Sequence, residues 1–259
     1  MEQAIARLEG AMELRPYSVP EGMEGKEAVV GKGRNQQQVK MTVAAYSAAK
    51  FRHIRAALVE TSGPTQVLNF VIFPDPSLDL PIFGADLVSL PGAHLICIDL
   101  QARIRFRKQL NSQYQKSQHT ALAAHAQARL PWGGNLPSAA QRFFSPHCIW
   151  SKVGDIEVVE TAALEAMLAY LDHYLAMAAA AEPVKDEGLL KGLAEGHLAY
   201  SRYRRINDPA RGMLTRFFGT EWAEDVISHA LFDLEAKVDS GAVSLAHGQE
   251  LLAEMAAEP

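Results

Sequence analysis

Three short apolar runs lie close together in the chain, separated by Pro, Gly, Asp and Ser; they are Val67–Phe73, Ile82–Leu90 and His94–Leu100. Each run has the length of a β-strand, and such separators are typical of turns, so the pattern predicts an antiparallel meander. The first run, VLNFVIF, is apolar at nearly every position rather than at alternate ones, which indicates a strand covered on both faces. The sequence therefore predicts an α/β fold, a three-layer α/β/α sandwich with a central antiparallel β-sheet flanked by helices.

Two polar side chains interrupt these runs, Asn69 in the first and Asp86 in the second. A carboxylate in an otherwise buried strand costs free energy unless it is paired, protonated or facing a ligand. The structural alternatives are an Asn69 amide tied to the neighbouring strand and an Asp86 carboxylate that accepts from backbone amides. Both residues are candidates for a functional site.

The composition is that of a soluble globular protein: of 259 residues, 48% are hydrophobic and 21% are charged. No apolar run approaches the roughly 20 residues of a membrane helix, and the start, MEQAIARLEG, is unlike a signal or transit peptide. The net charge of −5 argues against binding nucleic acid through bulk charge. We therefore expect a single domain over 1–259, in the cytoplasm or an organelle matrix, with no membrane or nucleic-acid partner.

The other elements are predicted from periodicity and helix breakers. The sequence favours a short helix over 1–14, an irregular exposed connection over 16–38, a strand from about Phe51, a helix over 109–129, a strand over 143–153, and helices over 157–181, 185–206, 209–218, 220–238 and 242–257. Residues 40–57 are ambiguous, because their alanines favour helix. Strands thus come first and helices last, so the helices have to cover both faces of the sheet.

Motifs of the common enzyme classes are missing. The sequence contains no G-x-G-x-x-G, G-x-x-x-x-G-K-[ST], H-E-x-x-H, C-x-x-C or G-x-S-x-G, and its nine histidines show no metal-ligand spacing. A metal, nucleotide or serine-nucleophile enzyme therefore has no positive support.

Three blocks resemble the ferredoxin-dependent bilin reductases. They are NFVIFPDPSLDLPIFGADLVSLPGAHLICIDLQ, RLPWGGNLPSAAQRFFSPHCIW and NDPARGMLTRFFGTEWAEDVISHALFDL, with DLPIFGADLV and DPARGML as the most specific parts. The resemblance covers about 40–235, leaving an N-terminal helix and loop over 1–39 and a helical tail over 236–259. It implies a pocket between the sheet and the C-terminal helices that holds a linear tetrapyrrole. It also implies ferredoxin as electron donor and no bound metal or organic redox cofactor, because the bilin itself carries the radical intermediate.

The resemblance assigns catalytic roles to Asp86, on the sheet side of the bilin, and to Asp208, on the helical side. A carboxyl beside the bilin could donate a proton as negative charge develops on the radical. For Asp208 the alternative is a helix cap, because Asp before Pro is common at a helix start. Asn69 and Arg211 are candidates for substrate binding, through a pyrrole or lactam hydrogen bond and a propionate contact respectively. A surface arginine at a helix start is the alternative for Arg211.

Within the family, the blocks LPIFGADLVSLPGAHL, LPWGGNLP and FFSPHCIW are most similar to the branch that reduces 15,16-dihydrobiliverdin at the A-ring diene to phycoerythrobilin. Asn69 stands where the phycocyanobilin-forming branch carries a histidine, which disfavours that product. The alternatives are a reductase that acts directly on biliverdin, as the phytochromobilin-forming branch does, and a non-catalytic bilin carrier. Retention of both aspartates argues against the carrier, since binding alone does not require two proton donors.

Ferredoxins are acidic, so a partner of theirs needs a positive rim even when its net charge is negative. The first candidate set alternates with apolar residues and shares one face if extended; it consists of Arg103, Arg105, Arg107 and Lys108. The second consists of Arg202, Arg204 and Arg205, and an ordinary solvated face is the alternative for both. An upstream bilin reductase that hands over dihydrobiliverdin is a further expected partner, and the plastid stroma is the organelle location that the family implies.

Overall fold

Eight β-strands form an antiparallel sheet in the structure, a computed structural model that describes residues 1–101, 113–136, 141 and 143–257. The strands are β1 (Arg15–Pro16), β2 (Gly25–Val30), β3 (Gln37–Ala48), β4 (Phe51–Thr61), β5 (Gln66–Pro74), β6 (Ile82–Leu90), β7 (Ala93–Gln101) and β8 (Ile149–Val153). From β3 to β8 each strand pairs with the next along the chain, and β1 and β2 both pair with β3. The three apolar runs lie within β5, β6 and β7, so the predicted meander is confirmed.

Alternation along β5 sends its side chains into two different cores. Leu68 and Phe70 belong to the core on one face, while Val67 and Val71 belong to the core on the other. Because both faces are covered, the strand is apolar at nearly every position, as the sequence predicted. Asn69 has the parity of Val67 and Val71 and therefore points towards the second core.

Helices cover both faces of the sheet. They are α1 (Glu2–Ala11), α2 (Gln113–Gln127), α3 (Ile156–Val158), α4 (Leu164–Ala180), α5 (Glu187–Asn207), α6 (Arg211–Phe218), α7 (Thr220–Val226), α8 (Leu234–Asp239) and α9 (Gly248–Ala257), with π-helical turns at Val159–Ala163 and Ile227–Leu231. None of these helices is long and apolar enough to cross a membrane, within the ranges that the structure describes.

The two cores define the layers. The first packs α1 and α4 on the sheet through side chains such as Leu8 and Tyr174. The second packs α5, α6 and α7 on the opposite face through Tyr200, Leu214 and Val226. A smaller apolar cluster joins α8 and α9 to α5. The predicted α/β/α sandwich is thus confirmed, and the α5–α7 side is the one that Asn69 faces.

Residues 16–38, expected as an irregular connection, contain β2 and a 3-10 turn at Gly33–Asn35, so that expectation was wrong. β2 runs antiparallel to β3 from the pair Gly25 and Thr42 to the pair Val30 and Gln37. Its strand pattern is weak because Glu27 and Val29 are exposed and its remaining side chains are only half-buried. Tertiary pairing overrides such a weak local signal.

Two further stretches refine the expectations. Residues 40–57, which were ambiguous, divide between β3 and β4, and β4 begins at Phe51 as expected. The strand predicted over 143–153 begins only at Ile149. Phe143 is nonetheless buried, because its ring packs 5.4 Å from that of Tyr200 in α5. The apolar signal there reflects core packing and not strand pairing.

Candidate active site

Asn69 and Asp86 lie directly opposite each other in the pairing of β5 with β6. Their side chains point to the same face of the sheet, and the Asn69 amide Nδ2 donates to Asp86 Oδ1. The next residue in this row is Cys97 of β7, which is buried. The two polar residues singled out from the sequence therefore form one hydrogen-bonded pair, and the Asp86 side chain keeps 28% of its surface exposed.

Arg55 of β4 contacts the Asn69 end of this pair. Its Nε donates to the Leu231 carbonyl oxygen at 2.9 Å and its Nη1 donates to Asn69 Oδ1, while the whole residue is buried. Burial lowers the pKa of Arg55 to about 10, which leaves the guanidinium charged at neutral pH. A continuous chain of hydrogen bonds thus runs from the Leu231 carbonyl through Arg55 and Asn69 to Asp86.

Asp208 approaches from the helical layer, immediately after the last residue of α5. Its Oδ1 accepts from the Ala210 backbone N–H at 2.7 Å, which closes the turn between α5 and α6. This is the turn-forming role of an Asx side chain. Its other oxygen, Oδ2, lies 3.8 Å from Arg204 Nη2, and the side chain is 5% exposed. Asp208 therefore closes a turn and is not the N-cap of α6, which is Ala210, and its second carboxyl oxygen stays free of this turn.

Arg204 of α5 brings the two aspartates together. Its Nη2 lies 4.0 Å from Asp86 Oδ2 and 3.8 Å from Asp208 Oδ2. Burial is the largest influence on the pKa of Arg204 and lowers it, but Tyr200, Asp86 and Asp208 together raise that pKa above its usual value. The side chain is 12% exposed. The site therefore places one fixed positive charge between a sheet carboxyl and a helix carboxyl.

An aromatic ring supports both arginines. The Phe232 ring centroid lies 4.9 Å from the Arg55 guanidinium carbon and 5.4 Å from that of Arg204. A cation over an aromatic face is attracted by the quadrupole of the ring. Tyr200 packs one helical turn before Arg204, and burial raises the pKa of its hydroxyl to about 12, so it stays neutral.

Arg211 is engaged within the protein. Its Nη1 pairs with Glu224 of α7 and its Nη2 donates to the Arg205 carbonyl oxygen at the end of α5. Its side chain is 30% exposed. These contacts join α5, α6 and α7, and a propionate contact by Arg211 stays a prediction.

The three arginines of the second basic cluster do not share one set of partners. Arg204 lies between the two aspartates, while Arg202 Nε and Arg205 Nη2 pair with the Glu235 carboxylate at 2.8 and 3.0 Å. Helical periodicity sends Arg204 inwards, while Arg202 and Arg205 share one carboxylate and keep an excess of positive charge, so docking of ferredoxin on these two stays a prediction. The first set, Arg103, Arg105, Arg107 and Lys108, lies outside the described residues.

Sequence reasoning missed Arg55 and misplaced Arg204. A signal for Arg55 was present, because a charged residue within the apolar stretch HIRAALVE is as costly to bury as Asp86 in its strand. For Arg204 the only local signal is its position four residues before Asp208, which places both on one face of a helix. Its approach to Asp86 depends on how α5 lies across the sheet.

The chemistry available here is proton transfer beside a fixed positive charge. Within the part of the chain that the structure describes, no group of three or more His, Cys, Asp or Glu side chains is arranged to hold a metal ion. A carboxyl can exchange a proton with a molecule bound beside it, and a guanidinium stabilises negative charge that develops on such a molecule. The structure therefore brings two carboxyls and one guanidinium together where the sheet meets the helical layer.

Comparison with protein families identifies the class. Residues 1–233 match the family model described as ferredoxin-dependent bilin reductase. The chain belongs to this family, and the resemblance found in the three sequence blocks is confirmed. It is thus an oxidoreductase of bilins that depends on ferredoxin.

Curated relatives and a solved structure agree with that assignment. The chain is 46% identical over 238 residues to phycoerythrobilin:ferredoxin oxidoreductase from Nostoc punctiforme, covering 92% of this chain and 93% of the relative. It is 43% identical over 237 residues to the protein of the same name from Gloeobacter violaceus, covering 92% and 95%. The fold matches phytochromobilin synthase from tomato, solved in complex with biliverdin, with a TM-score of 0.82 and 26% identity over 96% of this chain and 85% of that one.

Proposed function

We propose that this protein reduces 15,16-dihydrobiliverdin at the A-ring diene to phycoerythrobilin. The names of the two curated relatives described above support this product. The observation that carries the reaction is that Asp86 and Asp208, from opposite layers, both lie within 4.0 Å of one nitrogen of Arg204. A bilin bound beside them has two proton donors and one fixed positive charge.

In the proposed reaction, ferredoxin supplies two electrons one at a time, and the site supplies two protons. The bilin takes one electron and one proton, then a second electron and a second proton, so that one double bond is lost from its conjugated system. Asp86 donates from the sheet, Asp208 donates from the helical layer, and solvent reprotonates both. Arg204 stabilises the negative charge that each electron brings. The bilin is the redox-active group, and no bound metal or organic cofactor is required.

Asn69 and Arg211 are proposed to contact the substrate. Asn69 would hydrogen-bond a pyrrole or lactam group while keeping its contact with Asp86, and Arg211 would meet a propionate after leaving Glu224. The proposed partners are ferredoxin, docked through Arg103, Arg105, Arg107 and Lys108, and an upstream bilin reductase that hands over dihydrobiliverdin.

A specific observation supports a second candidate substrate. The solved relative with this fold holds biliverdin, so direct reduction of biliverdin by this chain is the nearest alternative. A bilin carrier without turnover is the third candidate. It requires neither the two aspartates nor the charge between them.

An anaerobic assay with reduced ferredoxin separates these candidates. Biliverdin and 15,16-dihydrobiliverdin are offered separately, and products are identified by absorbance and chromatography. Conversion of dihydrobiliverdin alone to phycoerythrobilin is the expected result. Direct reduction of biliverdin would move the protein to the alternative branch, and tight binding of both pigments without turnover would leave only the carrier.

Substitution of the aspartates tests their roles in the same assay. Asp86→Asn and Asp208→Asn each keep an oxygen that accepts the observed hydrogen bond, so the fold is retained while the proton donor is lost. We expect the rate of reduction to fall about a hundredfold or more, with bilin affinity nearly unchanged. Asp186→Asn is the matched control, because Asp186 caps the opposite end of α5 by accepting from the Leu189 N–H at 2.7 Å. Unchanged rates in both aspartate variants would remove them from the mechanism.

A further inference from the structure

Arg55 is a buried charge that the mechanism above does not use. It is fully buried in β4, its Nε and Nη1 are engaged, and its buried Nη2 has no hydrogen-bond partner among the residues that the structure describes. A buried guanidinium is costly, and apolar residues of similar volume often serve stability as well or better. Stability alone therefore does not account for an arginine at this position.

The chemistry of its contacts points to a specific role. A guanidinium has only hydrogen-bond donors, whereas the Asn69 side chain offers an oxygen acceptor at one end and an N–H donor at the other. Because Arg55 Nη1 donates to Asn69, the amide must turn its oxygen towards Arg55 and its Nδ2 towards Asp86. The reversed amide would place donor against donor at Arg55 and acceptor against acceptor at Asp86.

The orientation of the amide decides what Asp86 can do. In a protonated carboxyl the carbonyl oxygen is a better acceptor than the hydroxyl oxygen, so the N–H that Asn69 donates favours Oδ1 as the carbonyl oxygen. A proton carried by Asp86 then lies on Oδ2, the oxygen that lies 4.0 Å from Arg204. We propose that Arg55 is a positioning residue that acts through the Asn69 amide to keep the transferable proton of Asp86 on Oδ2.

This inference rests on the proposed function for its consequence, the delivery of a proton to the bilin. Its structural part, the fixed amide, does not depend on turnover. The charge that it needs is present at neutral pH, since burial lowers the pKa of Arg55 only to about 10. The two parts can therefore be measured separately.

The first measurement is the side-chain amide signal of Asn69 in the proton–nitrogen NMR spectrum of the bilin-free protein, assigned by its loss in Asn69→Ala. Arg55→Lys keeps a side chain that only donates, whereas Arg55→Gln offers either an oxygen or an NH₂ group and no longer selects an orientation. We expect the two Nδ2 protons to stay resolved and slowly exchanging in the original protein and in Arg55→Lys. In Arg55→Gln we expect them to broaden or to exchange faster.

The second measurement is the single-turnover rate of bilin reduction as a function of pH. We expect Arg55→Gln to slow this step about tenfold or more and to change its pH profile, while the bilin dissociation constant stays within about threefold. Arg55→Lys should restore most of the rate. In the Asn69→Ala background Arg55→Gln should add no further loss, because the effect passes through the amide. Arg7→Gln, which removes an exposed partner of Asp172, is the control.

A variant that leaves Arg55 in place keeps the inference testable if Arg55→Gln does not fold. Asn69→Asp is nearly isosteric and keeps an oxygen for Arg55, but it removes the N–H that is donated to Asp86, so the rate should fall as in Arg55→Gln. The inference is overturned if Asn69→Asp reacts at the original rate, or if Arg55→Gln slows the original protein and Asn69→Ala equally. If the amide signal responds as expected but the protein reduces no bilin, the proposed function is refuted. The fixed orientation of the Asn69 amide is then still supported.

Discussion

Neighbouring arginines in α5 have different interaction partners, and the partners determine the role of each side chain. Arg204 lies between two carboxyls and beside the Phe232 ring, whereas Arg202 and Arg205 hold Glu235 on the other side of the helix. The buried position strengthens the electrostatic interactions of Arg204, because the effective dielectric constant is lower there than in water.

Asp233 is the centre of a second buried polar cluster. Its carboxylate accepts from Tyr17 Oη at 2.6 Å and from Arg52 Nη1 at 3.1 Å, and it lies 3.6 Å from His53 Nδ1. Burial raises the pKa of Asp233, but Arg52, His53 and Tyr17 together hold it well below the ordinary value of 3.8. Since the folded pKa is depressed, this stabilisation is present above about pH 4 and is lost as the pH falls further.

His53 gives the protein a separate pH dependence at higher pH. Burial lowers the pKa of His53 to about 4, below the ordinary value of 6.5. Between pH 6.5 and pH 4 the unfolded chain therefore binds a proton that the folded protein does not, and stability falls as the pH falls. His53→Phe should reduce this slope by one proton, or about 1.4 kcal/mol per pH unit, in chemical denaturation at several pH values.

The phenylalanine side chain can keep the stacking of His53 on Tyr17, whose ring centroid lies 4.0 Å away. His125→Gln, at an exposed position in α2, is the control substitution. An equal slope in His53→Phe and the original protein would show that His53 does not carry this dependence.

At the scale of elements, the π-helical turn Ile227–Leu231 connects the helical layer to the sheet. It ends so that the Leu231 carbonyl oxygen accepts from Arg55 and the Phe232 ring lies beside both arginines. Ser201 of α5 also donates to the Phe232 carbonyl oxygen, at 3.2 Å. The residues at the end of this irregular turn thus contact both Arg55 of the sheet and Arg204 of the helical layer. π-Helical turns often occur at functional sites.

The segment before β8 is held against that strand by close backbone packing. Gly133 N–H donates to the Trp150 carbonyl oxygen at 2.9 Å, and a Cβ at Gly133 would lie 2.8 Å from the Ser151 carbonyl carbon. Gly133→Ala should therefore push this segment off β8 and cost about 1–3 kcal/mol of stability, measured by thermal unfolding.

Gly154, just after β8, supplies the comparison. A Cβ there would meet no atom within 4 Å, and its φ is not in the left-handed region. Gly154→Ala should leave the melting temperature nearly unchanged. If both alanine variants melt alike, close approach at Gly133 is not what holds the segment.

At the scale of the whole molecule, the N-terminal segment is fastened to the last helices by side chains. Tyr17 reaches Asp233, Lys237 Nζ donates to the Ser18 carbonyl oxygen at 3.1 Å, and Trp222 Nε1 donates to the Gly22 carbonyl oxygen at 2.9 Å. These contacts join residues some two hundred positions apart in the chain. Long-range contacts of this kind close the sandwich on the side that carries the site.

Ferredoxin binding is a property of the charge distribution over the whole protein. The net charge is −5, so a local basic set has to attract an acidic partner. The triple reversal Arg103→Glu, Arg105→Glu and Arg107→Glu should raise the KM for ferredoxin about tenfold at low salt, with little effect on bilin affinity. The difference should shrink as the ionic strength rises, because salt screens exposed charges.

Lys32→Glu, an exposed change between β2 and β3, is the control for charge alone. Were it to raise the KM for ferredoxin as much as a single reversal within the triple set, total charge and not a docking site would be responsible.

The sequence by itself determined the layers and the candidate carboxyls. The three apolar runs showed the meander, the unbroken apolar pattern of β5 showed that both sheet faces are covered, and Asn69 and Asp86 stood out as polar residues within apolar strands. These features are local, because alternation along a strand has a period of two and a buried polar group stands out within it.

Only the tertiary structure decided which groups meet. It put Arg204 between Asp86 and Asp208, put Arg55 behind Asn69, and turned Arg202 and Arg205 away towards Glu235. It also made a strand of β2, whose own pattern is weak. The physical reason is that the contact between α5 and the sheet depends on how two whole cores pack, and no periodicity within a short segment specifies the distance between residues of different layers.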